Sequence, residues 1–503
     1  MNERLQHAAR LYAARDLPAA EAVCHAIVHD NPDDCDALHL LGVLLTLQDR
    51  PAEAVPLLRR AEAGLPDHAL VRVNLGNALL ALRRFDDVLA IPRTMDANLC
   101  NNLGLAYRGL EQHEAAAQAF RQATEARWDC AAAWFNLATT LTTLDRLEES
   151  LAACRTALRV APLDTPVQRL ADVTNDMART LMALGRPEEA LAACRGFLKR
   201  HPGQPSVTWN MSLCLLLLGH FDEGWRAYEC RYDIAEHDPR PVGAIVLDPV
   251  RVAGKRVLIL TEQGRGDVIQ FIRYARLLAE RGATVCVQAP DDLLPLLAAM
   301  PGVTHVVSSG KSRPEADLTT SVMSLPLAFG RNPADVPYLY VPPGRRVSGL
   351  DSRTRRRIGV AWSGSPQSYQ RSAMPVETLA PLLALPEFEF HCLQKDIVAR
   401  DQAWLNANRP PIVLHGPALR DFADTAALID QMDAVVTIDT AVAHLAGALA
   451  KPVSVMLPFN PDWRWLLGRT DSPWYPTARL FRQPSRGAWT EVVQAVIAAL
   501  RQA

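Results

Sequence analysis

A repeat governs the first half of the chain. A small residue after a large apolar one recurs at Gly42, Gly76, Gly104, Ala138, Ala178 and Ser212, preceded by Leu41, Leu75, Leu103, Leu137, Met177 and Met211. Counted from Ala8, the steps are 34, 34, 28, 34, 40 and 34 residues, so one repeat is six short and one six long, the mark of indels at helix junctions. Twelve residues after the small position lies a second close-packing site, at Ala54, Ala116 and Ala190. Twenty-four after it, Pro32, Pro66, Pro162 and Pro202 end the second helix, because proline cannot continue a helix interior. The period predicts antiparallel helix pairs over about residues 5–232, which bury their faces only by stacking on one another. The repeat starting at Val71 is degenerate: Ile91-Pro92 stands where its second helix should continue, and a bend or local groove is expected there.

The pattern changes at 238–255, DPRPVGAIVLDPVRVAGK, which has three prolines, two glycines and no amphipathic period and reads as a linker. Beyond it, apolar β-rich runs at 256–260, 284–288 and 305–307 alternate with helical patterns at 268–281 and 293–300. A second alternating set has strands at 358–362, 388–393, 412–414, 434–438 and 453–457, separated from the first by the hinge VPPGRRVSGLDSRTRRR. The order implies parallel sheets with a cleft between them, and such sheets bind ligands beyond the carboxyl ends of their strands. The expected architecture is therefore an α solenoid over 1–236, a linker over 237–255, and an α/β module of two Rossmann-like domains over 256–345 and 346–503.

Four polar loops fall at that edge. The first, Thr261-Glu262-Gln263-Gly264-Arg265-Gly266-Asp267, has glycines at Gly264 and Gly266 that permit a tight turn and close approach of a ligand. A dinucleotide fingerprint needs a third glycine where Ile269 stands, which argues against a nicotinamide enzyme. Asp267 is either a helix N-cap or a carboxylate projecting into the cleft as general base for an attacking hydroxyl. In the second loop, Ser363 and Gly364 offer hydroxyl and amide donors; Arg371 is either a bidentate phosphate partner or a solvated surface arginine. The third, Gln394-Lys395-Asp396, places Lys395 to meet a diphosphate and Asp396 a ribose hydroxyl, unless both are ordinary surface charge. The fourth lies in residues 433–449, DAVVTIDTAVAHLAGAL, a buried strand that stops at Asp439 and Thr440 and restarts as a helix of small side chains, with His444 on the same face as Thr440. It fits a capped helix with a core histidine. It equally fits a site for a phosphate or sugar, whose charge the free amides of a helix start favour.

Composition narrows the class of partner. Hydrophobic residues make up 49%, charged ones 21%, and the formal net charge is -2, which excludes general disorder and a strongly basic nucleic-acid surface. No stretch offers the run of about eighteen apolar residues of a membrane span, so a soluble cytoplasmic protein is expected. Its ten cysteines are scattered singly, as free thiols rather than disulfides or zinc ligands. A divalent ion is commonly held by paired carboxylates at a strand end, whereas the D-x-D triplet here, Asp34-Cys35-Asp36, lies in a repeat turn. No metal or cofactor is expected. The tryptophans at 463, 465 and 474 form an aromatic segment suited to stacking a sugar or closing the cleft.

The segments LLGVLLTLQDRPAEAVPLLRRA, NNLGLAYRGLEQHEAAAQAFRQA and MARTLMALGRPEEALAACRGFL resemble the tetratricopeptide repeat (TPR) family, whose superhelix implies a concave groove for extended peptides or partner helices. The run GRGDVIQFIRYARLL, the loop AWSGSP with RSAMP, and TIDTAVAHLAGALAKPVSVMLP resemble glycosyltransferase family 9, the bacterial heptosyltransferase-like enzymes, over about residues 255–495. That resemblance implies the GT-B architecture of two facing Rossmann-like domains. It also implies inverting transfer from a nucleotide-diphosphate sugar without an essential metal, with Asp267 as base and Asp439, Thr440 and His444 gripping donor sugar and diphosphate. The chain departs from the family at Ala441, where glycine is usual, and in the second-half loop, where Arg371 is the nearest cation to a customary lysine. Repeats ahead of a GT-B pair resemble the protein O-linked N-acetylglucosamine transferases, which implies a protein or peptide acceptor; a glycan acceptor is the other possibility. The competing expectation is a TPR scaffold whose transferase-like module has lost catalysis.

Overall fold

The computed structural model describes residues 3–234, 240–330, 333–350, 355–364 and 374–502. The chain divides into two compact units, Met1–Val207 and Thr208–Ala503. Among the described residues, none of the helices is long and apolar enough to cross a membrane.

The first unit is an all-helical TPR solenoid. Its pairs run Glu3–Ala13 with Leu17–Asp30, Cys35–Leu47 with Pro51–Gly64, Ala69–Ala81 with Phe85–Leu89, and on through Val167–Ala183 with Pro187–Arg200. The small residue of each repeat works by close approach. A Cβ on Gly42 would lie 2.5 Å from Leu58, and one on Gly104 2.5 Å from Phe120, in both cases the residue sixteen positions later on the partner helix. The same column holds Cys24, Cys154 and Cys194, all fully buried. In the degenerate repeat the column falls on Pro92, beyond the end of the five-residue helix Phe85–Leu89, and Gly76 packs instead on Asn102 of the next repeat. The shortening falls in that second helix of the pair, five residues long where Pro51–Gly64 has 14, and four of the six added residues lengthen Val167–Ala183 to 17 from the 13 of Cys35–Leu47.

Seven residues after each small position the chain takes left-handed φ values, at Arg15, Asp49, Arg83, Glu111, Asp145, Gly185 and Gly219. Each turn is closed by a backbone bond back to the preceding helix, as from Arg50 N to Leu45 O at 2.9 Å.

In the second unit two all-parallel sheets follow the hairpin that Phe221–Tyr228 closes. The first contains β1 (Arg256–Leu260), β2 (Thr284–Ala289), β3 (Val303–Ser308) and β4 (Leu318–Ser321), in the order β3-β2-β1-β4. Residues expected to be pure linker extend it: Ala244 bridges Thr319, and Ile245 donates its amide to Thr319 O at 2.9 Å. The second contains β5 (Arg356–Ala361), β6 (Phe388–Cys392), β7 (Ile412–Leu414), β8 (Ala434–Ile438), β9 (Val453–Leu457) and β10 (Ala478–Arg482), in the order β10-β9-β8-β5-β6-β7. Both sheets have a point where the chain leaves on one side and returns on the other, between β1 and β4 and between β5 and β8. Ligands bind at such switch points in open parallel sheets. The loops after β1, β5 and β8 therefore lie where a site belongs. Burial fits the order: central β8 is buried at every position, and its face packs with Ile358, Phe390 and the C-terminal helix Trp489–Gln502 around one core.

The hairpin of the last repeat belongs physically to this unit. Trp225 of the helix Phe221–Tyr228 packs edge-on against Phe271 and Trp463, and Phe221 against Trp474.

Candidate functional site

The loop after β1 turns into the helix Arg265–Phe271 at Gly264, and the loop after β8 turns into the helix Ala441–Ala448 at Thr440. These two helix starts meet. A Cβ on Gly266 would lie 2.9 Å from His444 Cδ2 and 3.5 Å from Ala441 Cα, so this glycine is what lets the two approach. The small residues expected to leave room for a ligand are in part covered by the protein itself: a Cβ on Gly447 would lie 2.4 Å from the ring of Tyr475. The Tyr475 hydroxyl in turn bonds His444 Nδ1 at 3.0 Å.

The N-cap of the first helix is Gly264, and Asp267 is the third helical residue, which reaches back to the cap. Its Oδ2 accepts from the Gly264 amide at 2.8 Å, and its Oδ1 accepts from Arg464 Nη2. Arg464 also donates through Nη1 to Asp462 Oδ1 at 2.7 Å and lies 4.2 Å from the Trp463 ring centroid. Asp439 Oδ1 stands 3.8 Å from His444 Nε2. Two carboxylates, Asp267 and Asp462, therefore pair with one guanidinium, and Asp439 feels its charge. Burial works against the Arg464 charge, but Asp267 and then Asp462 outweigh it and hold the group cationic. Burial first, and the Asp462 charge second, push the Asp439 carboxyl up to about 7, against the opposing pull of Trp465 and Arg464. Burial, reinforced by Arg464 and Arg273, holds His444 well below the usual histidine range. Near neutral pH Asp439 is about half protonated and His444 is neutral, so the two, 3.8 Å apart, are not an ion pair, and protonated Asp439 can donate to a phosphoryl or sugar oxygen.

This sets the pH dependence of stability. A carboxyl that holds its proton up to about pH 7 when folded, and releases it near 3.8 when unfolded, makes stability fall as pH rises between those values. At about 1.4 kcal/mol per unit, the loss reaches about 4 kcal/mol if this one group carries the whole shift. Asp439→Asn, neutral at every pH, should melt above the parent protein at pH 8 and close to it at pH 4. Parallel melting curves across that range would show that Asp439 is not the group.

Ser363 and Gln394 meet each other in a second cluster. Gln394 Oε1 accepts from the amides of Trp362 at 2.7 Å and Ser363 at 3.1 Å, and its Nε2 donates to Ser363 Oγ at 2.8 Å. This bracket ties the loops after β5 and β6 and uses the side-chain groups on one another. Gly364 follows it, half-buried. Lys395 and Asp396 are exposed, and Lys395 Nζ donates to Arg420 O at 3.1 Å. Arg371 lies outside the described residues. Thr440 makes no side-chain cap bond to its helix; its hydroxyl pairs with that of Thr437 at 3.2 Å. Asp34 of the D-x-D triplet caps the helix Cys35–Leu47, accepting from Ala37 N at 3.0 Å.

Of the two roles expected of the aromatic segment, stacking a sugar does not fit its burial. Trp463, Trp465 and Trp474 are buried, with Trp465 stacked on His444 at 5.4 Å and Trp474 donating to Arg464 O at 2.7 Å. They build the wall of the site and are not free to stack a sugar. The residue the sequence reading passed over is Arg464, between two of those tryptophans. Its signal was Asp462 two residues earlier, which caps the short turn Trp463–Trp465 and aims the guanidinium.

A tetratricopeptide-repeat solenoid followed by an α/β module of two parallel sheets, with charged loops at their switch points, is the class of protein these observations define. Comparison with known proteins narrows the class. Tetratricopeptide repeats match residues 5–69, 101–165 and 175–236, and glycosyltransferase family 9 (heptosyltransferase) matches residues 417–457, which take in β8, the 441–448 helix and β9. Protein FlbA of Caulobacter vibrioides is 25% identical over 517 aligned positions, covering 92% of this chain and 84% of that protein. Two solved structures align with less of the chain. PilF of Pseudomonas aeruginosa is 15% identical over 41% of this chain and 93% of its own, with a TM-score of 0.35. A tetratricopeptide repeat protein from Parabacteroides merdae is 16% identical over 47% and 93%, with a TM-score of 0.35. The chain thus carries TPR repeats joined to a module resembling glycosyltransferase family 9.

Proposed function

We propose that the α/β module is a GT-B glycosyltransferase that takes a nucleotide-diphosphate sugar and transfers the sugar with inversion, without a metal, while the TPR repeats recruit a protein, peptide or glycan acceptor. The observation that carries this reading is the meeting of the Gly264–Asp267 turn with the Asp439–His444 turn, each at the switch point of its own sheet. Asp267 takes the proton of the acceptor hydroxyl, each of its oxygens keeping a lone pair beyond the bond it already accepts. The acceptor oxygen bonds to the anomeric carbon from the face opposite the diphosphate. The carbon–oxygen bond to the diphosphate breaks, and the leaving group carries away the electron pair. Its charge is met by the first amides of the 441–448 helix, by the Asp439 carboxyl as a donor, and by Lys395 or Arg371. Ser363, Gly364, Gln394 and Asp396 line the nucleotide side. His444 acts through Asp439, since its own Nδ1 is engaged by Tyr475.

Thermal melting against a panel of nucleotide-diphosphate sugars tests the donor. A ligand at a hundred times its dissociation constant should stabilise the protein by about 2.7 kcal/mol. No response to any nucleotide sugar would favour the second reading, a scaffold with an inactive module. That reading has its own observation: both oxygens of Asp267 are already engaged, and Tyr475 covers part of the small-residue helix.

A further inference from the structure

The turn that bears Gly264, Gly266 and Asp267 is gripped from outside its own sheet. Gln263, just before Gly264, has φ of 61°, a left-handed conformation that costs a non-glycine residue of the order of 1–2 kcal/mol. In the repeats such turns are closed by a backbone bond; here the side chain itself is held. The Tyr228 hydroxyl donates to Gln263 Oε1 at 3.1 Å and accepts from Gln263 Nε2 at 2.8 Å. The neighbouring Glu262 is clamped by Arg231, whose Nε and Nη2 donate to its two oxygens at 3.1 and 2.9 Å. Arg231 is 2% exposed and is fixed by Glu229 at 2.6 Å, by Ser324 Oγ at 2.9 Å and by the Tyr232 hydroxyl.

Tyr228 has a place in the repeat pattern. It lies sixteen residues after Ser212, in the column filled elsewhere by Cys24, Leu58, Phe120, Cys154 and Cys194. Of these, Leu58 and Phe120 pack directly on the glycine of their own repeat. In the last repeat the column carries a hydroxyl, and that hydroxyl reaches the turn after β1. A strained backbone persists where its surroundings over-determine it, and at functional sites such strain sets the aim of a reacting group.

We infer that Tyr228 and Arg231 are positioning residues for the Gly264–Asp267 turn, so that the hairpin ending the repeats is a working part of the site. What the turn does rests on the transferase reading above; how it is held does not. The test is hydrogen exchange of the segment 261–271 in the full-length chain, for the parent protein, Tyr228→Phe, Gln263→Gly and the double variant. Tyr228→Phe should speed exchange in this segment about tenfold while 284–308 stays unchanged. In the Gln263→Gly background, where glycine adopts the left-handed conformation without strain, the same substitution should add nothing. Unchanged exchange in Tyr228→Phe, or an equal effect in both backgrounds, would overturn the inference and leave Tyr228 a packing residue. Titration of the same variants with UDP, GDP and ADP separates the two claims. Loosening on Tyr228→Phe in a protein that binds none of the three would support the positioning role and count against the transferase reading. Binding that weakens in Tyr228→Phe and not in the double variant would support both.

Discussion

Arg231→Met should destabilise the α/β unit by about 3–5 kcal/mol, the usual cost of removing one partner from a buried ion pair. Methionine matches the aliphatic stem of arginine but leaves Glu262, whose side chain is only 19% exposed, without its cation, and leaves Glu229, 14% exposed, with Arg240 alone. Burial opposes the Arg231 charge, and Glu262 followed by Glu229 overcome that opposition, so the three groups stand or fall together. At about 2–4 °C per kcal/mol for a unit of this size, the melting transition should drop by roughly 10 °C. The first unit melts separately in this expectation, so the effect belongs to one of two transitions. Adding Glu262→Gln should restore part of the loss, because the pair then fails together. A drop of less than about 1 kcal/mol would mean that water reaches the carboxylates and the network is a surface feature.

Asp267→Asn should lower turnover by about 10²–10⁴-fold, the range for removing a general base, with donor binding intact. The substitution weakens the fold, since it takes one of two carboxylates from a buried arginine, but it does not leave that arginine unpaired. Asparagine keeps an oxygen to accept from Gly264 N–H, so the turn is retained, while the charge facing Arg464 is lost. Arg464 keeps Asp462 as a partner and stays in place against Trp463. Turnover and binding therefore separate in this variant. Loss of both together would assign Asp267 to holding the turn, and full turnover would remove it from the mechanism.

The repeats were legible because their packing is written in residue size: Gly42 against Leu58 and Gly104 against Phe120 leave a fixed spacing in the sequence. The left-handed turns seven residues further on were not. Glycine marks them at Gly185 and Gly219, while Arg15, Asp49, Arg83, Glu111 and Asp145 adopt the same conformation under a backbone bond that has no sequence signature. In the α/β unit the strands β1 to β3 and β5 to β9 stand out as apolar runs. β4, LTTS, is polar, and β10, ARLFR, carries two arginines in five residues, so neither reads as an apolar run. The expected helix 268–281 is two shorter ones, Arg265–Phe271 and Tyr274–Ala279.

The candidate site shows the same division. Asp267, Asp439, Thr440 and His444 could be picked out because each stands where a strand ends and a helix starts, a local pattern. Arg464 reaches Asp267 across 197 positions of chain, and Tyr228 reaches Gln263 across 35. Such pairings depend on tertiary approach, and no local period reports them. The aromatic segment is ambiguous for a related reason: three tryptophans can stack a ligand or build a wall, and composition does not separate the two.

In the proposed transferase a nucleotide sugar sits at the carboxyl edge of the six-stranded sheet, opposite Asp267. Photo-crosslinking with an azido analogue of whichever nucleotide-diphosphate sugar stabilises the protein, mapped by mass spectrometry, tests it directly. The account predicts labels within 355–364, 392–396 or 434–448, suppressed by unlabelled donor. Competed labelling confined to residues 3–207 would contradict it.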